Sequence, residues 1–206
     1  MWCWVALALY AFSGNALADS PYGLTQRPST GPFLNGRLPS QAIIQTGNWA
    51  VVEAFPNISI DDPTVLTPEP RCNRLYVAGR QGKIFWFEND PATAEKHEFL
   101  DLTDVTQGWD DCGLLGLAFH PEFGKPEAPN RGYVYVWYQY SPSPVVGPKR
   151  PPVGTPSYNR LSRFTVPDGS HVADRASEQV LINQFDHNLW HNGGGLVFST
   201  PLTTTG

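Results

Sequence analysis

An all-β fold is what this sequence predicts, and three observations predict it. Apolar and aromatic residues come in short runs of five to eight, rich in Val, Ile, Tyr, Phe and Trp, as β-strands require. Clusters of Gly, Pro, Asn, Asp and Ser punctuate the runs. Gly (19) and Pro (20) make up about one in five of the 206 residues, against about one in eight on average, with no collagen-like period, and long helices cannot survive that composition.

The chain opens on "MWCWVALALYAFSGNALADS". Its apolar core, Trp2 to Phe12, is too short for a bilayer span of about 20 residues, and small residues with an A-x-A site, Ala16-Leu17-Ala18, follow it. Residues 1–18 are therefore expected to be a secretory signal peptide, with no membrane span, and the protein to be secreted or periplasmic. Cleavage would remove Cys3. The remaining pair, Cys72 and Cys112, predicts a disulfide in an oxidising compartment. Residues 19–48, rich in Pro, Gly, Ser and Thr without apolar period, read as a lead-in or strap.

The expected strands follow in order. They are "WAVVEAF" (Trp49–Phe55), "RLYVAG" (Arg74–Gly79), "KIFWFE" (Lys83–Glu88), "EFLDL" (Glu98–Leu102), "GLLGLAF" (Gly113–Phe119), "YVYVWYQY" (Tyr133–Tyr140), "NRLSRFTV" (Asn159–Val166) and "EQVLINQ" (Glu178–Gln184). The stretch "GRQGK" joins the second and third as a tight hairpin, and "HPEFGKPEAPNRG" (His120–Gly132) is a loop between strands. The runs group as one four-strand set ending near Leu102, a second from Gly113 to Gln184, and the start of a third at Gly194. Such spacing suits a sandwich, a barrel or a propeller of four-stranded blades.

The formal net charge of −5 argues against a nucleic-acid surface, and the one basic cluster, "PKRPP" (Pro148–Pro152), sits in a proline-rich loop expected to be solvated. "NIS" at Asn57–Ser59 meets the N-glycosylation pattern. The stretch "HNGGGLVF" (His191–Phe198) carries more chemistry. Glycine costs backbone entropy, so three in a row behind a histidine imply close approach of a partner or an unusual turn. Leu196-Val197-Phe198 is expected to be a short buried strand with His191 at its mouth. Either His191 is a polar turn residue before that strand, or a ligand reaches it there. His187 and His191 have a zinc-like spacing, but only on a helix, which Asn192-Gly193-Gly194 forbids, so no metal site is expected in this chain. His120, before Pro121, is expected to be structural.

Four motifs in order, "GLLGLAFHPEF" (Gly113–Phe123), "YVYVWY", "NRLSRFTV" and "HNGGGLVF", resemble the N-terminal part of the soluble quinoprotein glucose/sorbosone dehydrogenase family, over roughly Leu75 to Phe198. The resemblance implies a partial six-bladed β-propeller, about two blades of it over residues 49–198, with 199–206 as a tail outside the family pattern. It further implies a sugar substrate, an external electron acceptor, pyrroloquinoline quinone as cofactor, and calcium whose ligands are not in this chain. His191 takes the place of the catalytic base. Asp111, in "WDDCGLLG", stands where glucose-oxidising members have a cofactor-contacting glutamine, which makes it the expected cofactor-binding residue. The family's orienting aspartate, cofactor cations and calcium ligands have no counterparts here, so the chain is expected to be a truncated, inactive fragment of a dehydrogenase. The alternative is a non-catalytic binding propeller of the hedgehog-interacting-protein type, a second class within the same resemblance.

Overall fold

The computed structural model describes residues 50–145, 147–186 and 189–198. The expected signal peptide, the lead-in, His187 and the tail from 199 lie outside the described residues. Eight strands form two four-stranded antiparallel sheets, and no helix occurs among the described residues. No helix there is long and apolar enough to cross a membrane. The first sheet holds β1 (Pro63–Pro68), β2 (Arg74–Gly79), β3 (Lys83–Glu88) and β4 (His97–Asp101). The second holds β5 (Leu114–Phe119), β6 (Tyr133–Tyr140), β7 (Tyr158–Thr165) and β8 (Asp174–Phe185). Each sheet runs in sequence order as a meander, which is the blade unit of a partial propeller.

Strand alternation builds the core. In β6, Val134, Val136 and Tyr138 are fully buried, while Tyr133, Tyr135 and Trp137 are only partly covered, so one face of the strand points inward. Tyr76 anchors the join between sheets: its ring meets Phe99 edge-on at 4.9 Å and Phe119 at 4.8 Å. β5 lies against β1 and β2 of the first sheet. Two hydrogen bonds fix that contact, from Leu114 N to Arg80 O at 3.0 Å and from Thr64 Oγ1 to Leu114 O at 2.7 Å.

Three expectations are corrected. The first strand among the described residues is Pro63–Pro68, not Trp49–Phe55; of the latter stretch, residues 50–55 are described, and there Val51 and Val52 are exposed and no ladder forms. Prolines at both ends hid the true strand. They are tolerated because β1 is an edge strand, where a missing N–H donor costs no ladder bond. Leu196-Val197-Phe198 is not a buried strand: the segment has no ladder and Val197 is 92% exposed. Cys72 and Cys112 are free thiols, the first exposed and the second buried. Cys112 is instead engaged locally, its Sγ donating to Leu189 O at 3.4 Å and lying 3.7 Å from Asn192 Nδ2.

Candidate active site

Four contacts bring the turn after β8 back onto the loop before β5 and onto β6. Asp111 Oδ2 accepts the backbone N–H of His191 at 3.1 Å. Asn192 Nδ2 donates to Asp111 O at 3.3 Å, and Trp137 Nε1 on β6 donates to Asn192 O at 3.0 Å. The Cys112 thiol holds Leu189 O from below. Asn192 is thus buried with its side-chain nitrogen and backbone carbonyl engaged, whereas the side chain of His191 is 91% exposed. A buried asparagine fixes the turn so that the neighbouring imidazole can stand in the open.

His191 adopts a left-handed backbone, φ 63°, which histidine enters more readily than bulkier residues. The glycines behind it serve different ends. A Cβ on Gly194 (φ 142°) would lie 2.5 Å from Leu115 O, and one on Gly116 would lie 2.2 Å from Gly194 O, so here two backbones touch and only glycine fits. Gly193 and Gly195 meet nothing within 4 Å of such a Cβ and leave the space beside His191 open.

Asp111 therefore has a partner in the chain itself. Its Oδ2 also lies 3.7 Å from His191 Nδ1, beyond hydrogen-bond length but within ion-pair range once the ring is protonated. With Nδ1 turned toward the carboxylate, Nε2 is the nitrogen left for a substrate proton. The fit of the expected quinone is mixed. Open space at Gly193 and Gly195 would admit a flat ring. The charge does not suit it, because Asp111 and its chain neighbour Asp110 set carboxylates against an anionic polycarboxylate group, and Asp111 is already engaged by His191. Among the described residues no group of three or more His, Cys, Asp and Glu could hold a metal ion.

With this geometry established, known proteins offer a comparison. No family model matches the sequence. A crystal structure of glucose dehydrogenase is similar at 15% identity and a TM-score of 0.44, over 60% of this chain and 30% of that one. A crystal structure of the soluble aldose sugar dehydrogenase from Escherichia coli, in its apo form, is similar at 14% identity and a TM-score of 0.43, over the same 60% and 30%. The chain thus spans about 30% of the length of these solved structures. At this level of similarity no residue role passes from them to this chain.

His120 makes local contacts: its Nδ1 accepts the Glu122 N–H at 3.1 Å and its ring meets Phe198 at 5.3 Å. Two tryptophans escaped the sequence reading. Trp190, beside His191, is 44% exposed and meets Trp109 edge-on at 5.3 Å. Arg150 is exposed, as expected, and its guanidinium also lies over the Trp109 ring at 5.3 Å. The available signal was two tryptophans in loops, one directly before His191 and one two positions before Asp111, where packing periodicity predicts none.

Proposed function

We propose that this chain carries the general base of a secreted sugar dehydrogenase of the quinone-linked type, with His191 as the base and Asp111 as its positioning residue rather than a cofactor contact. The observation that supports this reading most is the exposed imidazole held on a fixed turn by Asp111. A sugar hydroxyl reaching Nε2 would give up its proton as the C–H bond of the same carbon breaks, its hydride leaving to a two-electron acceptor that these residues do not themselves hold. The imidazolium so formed would face the Asp111 carboxylate, the logic by which a carboxylate supports a histidine base elsewhere. The exposure of both side chains keeps that Coulombic support small, so backbone positioning is the larger contribution of Asp111.

Dye-linked sugar oxidation with added pyrroloquinoline quinone and calcium tests the reading, on the 206-residue chain and on the longest natural protein that contains it. Oxidation in the longer protein that falls by about a hundredfold in His191→Ala supports it. Absence of oxidation there would leave the binding propeller, which the poor charge fit of the quinone beside Asp111 favours.

A further inference from the structure

Asn57-Ile58-Ser59 is the one Asn-x-Ser/Thr triplet in the chain, and the site at His191 makes no use of it. The fold presents this triplet on a turn. Ile58 N donates to Phe55 O at 3.1 Å, which closes a β-turn with Pro56 and Asn57 at its two central positions. Pro56 fixes φ at the first of these, and Asn57 at the second keeps a negative φ, so the turn is of type I. Its two ends are pinned to the first sheet. The Phe55 ring meets Phe87 of β3 edge-on at 5.0 Å, and Phe55 and Ile58 both line an apolar groove with Val65 of β1 and Val77 of β2. Pro56 and Asn57 between them are exposed. Ser59, also exposed, is steadied through its carbonyl, which accepts Lys96 Nζ at 2.5 Å. Among the described residues nothing hydrogen-bonds the Asn57 side-chain amide or the Ser59 hydroxyl.

Pinned ends and an exposed middle suit the attachment of a sugar chain. The nitrogen of an amide is a poor nucleophile, because its lone pair is delocalised into the carbonyl, so asparagine acquires a sugar only where a transferase can grip the amide together with the hydroxyl two residues on. Here both groups face solvent with no intramolecular partner to give up. A glycan is also bulky and hydrated, and the folded state must hold it outside the core. Asn57 meets that demand, because the contacts that fix its turn are made by its neighbours Phe55 and Ile58 and not by Asn57 itself. The turn leads into the edge strand of the first sheet, whereas the His191 turn is held against the second, so a modification here leaves the candidate base uncovered.

We propose that Asn57 is a site of N-glycosylation, with a lipid-pyrophosphate-linked oligosaccharide as the donor. The Asn57 Nδ2 forms a bond to the anomeric carbon of the donor, the bond from that carbon to the pyrophosphate oxygen breaks, the lipid pyrophosphate leaves with the electron pair, and the amide gives up one proton. Nothing is oxidised or reduced. The proposal rests on the secreted character in the reading above and not on sugar oxidation. The test is translation of the 206-residue chain with endoplasmic-reticulum microsomes, with protease protection to report entry and peptide mass spectrometry to report occupancy. The expected result is a protected chain that carries a glycan at Asn57, loses it in Asn57→Gln and in Ser59→Ala, and keeps it in Ser59→Thr. Peptide-N-glycosidase should release it without denaturant, because the turn is exposed. A protected chain without a glycan, a glycan that survives Asn57→Gln, release that needs denaturant, or a chain that never enters the microsomes would each overturn it. The two readings fail separately. A glycosylated chain whose longest natural form oxidises no sugar would keep the modification and end the dehydrogenase reading; oxidation by a protein unmodified at Asn57 would do the reverse.

Discussion

Asp111 accepts the backbone N–H of His191 across 80 residues of chain, and the same carboxylate oxygen lies 3.7 Å from the Nδ1 of that histidine. One side chain therefore fixes both the turn and the surroundings of the imidazole. In Asp111→Ala the amide of His191 loses its acceptor, and its hydrogen exchange should accelerate by about tenfold while core amides of β6 stay protected. Asp111→Asn, which retains an acceptor oxygen, should restore most of the protection. Unchanged exchange in the alanine variant would remove Asp111 from the positioning role.

His191→Ala should leave stability within about 0.5 kcal/mol of the parent, because the side chain is 91% exposed and packs against nothing that unfolding would release. Urea denaturation measures this. A large loss would mean that the histidine holds the turn and is not free for chemistry.

Glycine substitutions separate contact from access. Gly194→Ala and Gly116→Ala each force a methyl into backbone at 2.5 Å and 2.2 Å, and each should cost about 1–3 kcal/mol. Gly195→Ala points into open space and should stay within about 0.5 kcal/mol. Equal effects at the three positions in urea melts would contradict the close approach.

Thiol chemistry gives a pH signature. Burial, then the charges of Asp186, Asp111 and Asp110, push the Cys112 thiol from 9.0 up to about 12. Desolvation, then Glu69, pushes Cys72 up to about 11, although its surface stays exposed. A raised thiol pKa means that the folded state holds its proton where the unfolded state has released it. The stability from these groups is thus complete below pH 9 and should fall progressively between about pH 9 and 12. Ellman's reagent at pH 8 should find Cys72 slowly and Cys112 only on unfolding, with both titrating in the denatured, non-reduced protein.

β8 is the edge of its sheet, and Val180, Leu181 and Ile182 along it are each 44% exposed. A long apolar edge invites pairing with a second chain. Val180→Lys should lower the apparent mass at high concentration in light scattering without altering the circular dichroism.

How much of this was legible in the sequence depends on how local the signal is. Tyr133–Tyr140 alternates so regularly that its expected and observed bounds coincide, and β2 and β3 are bounded by turn glycines and a hairpin. β1 was missed because Pro63 and Pro68 are read as breakers, and only the sheet reveals that the strand lies at an edge. His191 was found through its glycines, but the reason for Gly194 is a contact with Leu115, far away in the chain. The family resemblance points Asp111 outward, toward a cofactor, whereas its hydrogen bond from the His191 N–H leaves no local pattern, because 80 residues separate the two. The cysteine pair failed likewise: an even count carries no information about whether two sulfurs meet, and Cys112 is buried beneath the turn instead.

The 80-residue separation of Asp111 and His191 also sets an order of events during synthesis. At about 5–20 residues per second, the ribosome needs roughly 4–16 seconds to add the later half of the site once the earlier half has emerged. Throughout that interval the nascent chain can pair β5 with β6, yet the backbone of Gly116 and the indole of Trp137 wait for a turn that does not yet exist. Such late, long-range closure is slow by topology as well as by translation. A chaperone that shields the uncovered side of β5 and β6 would act in this window, before Asn192 and Gly194 arrive to cover it.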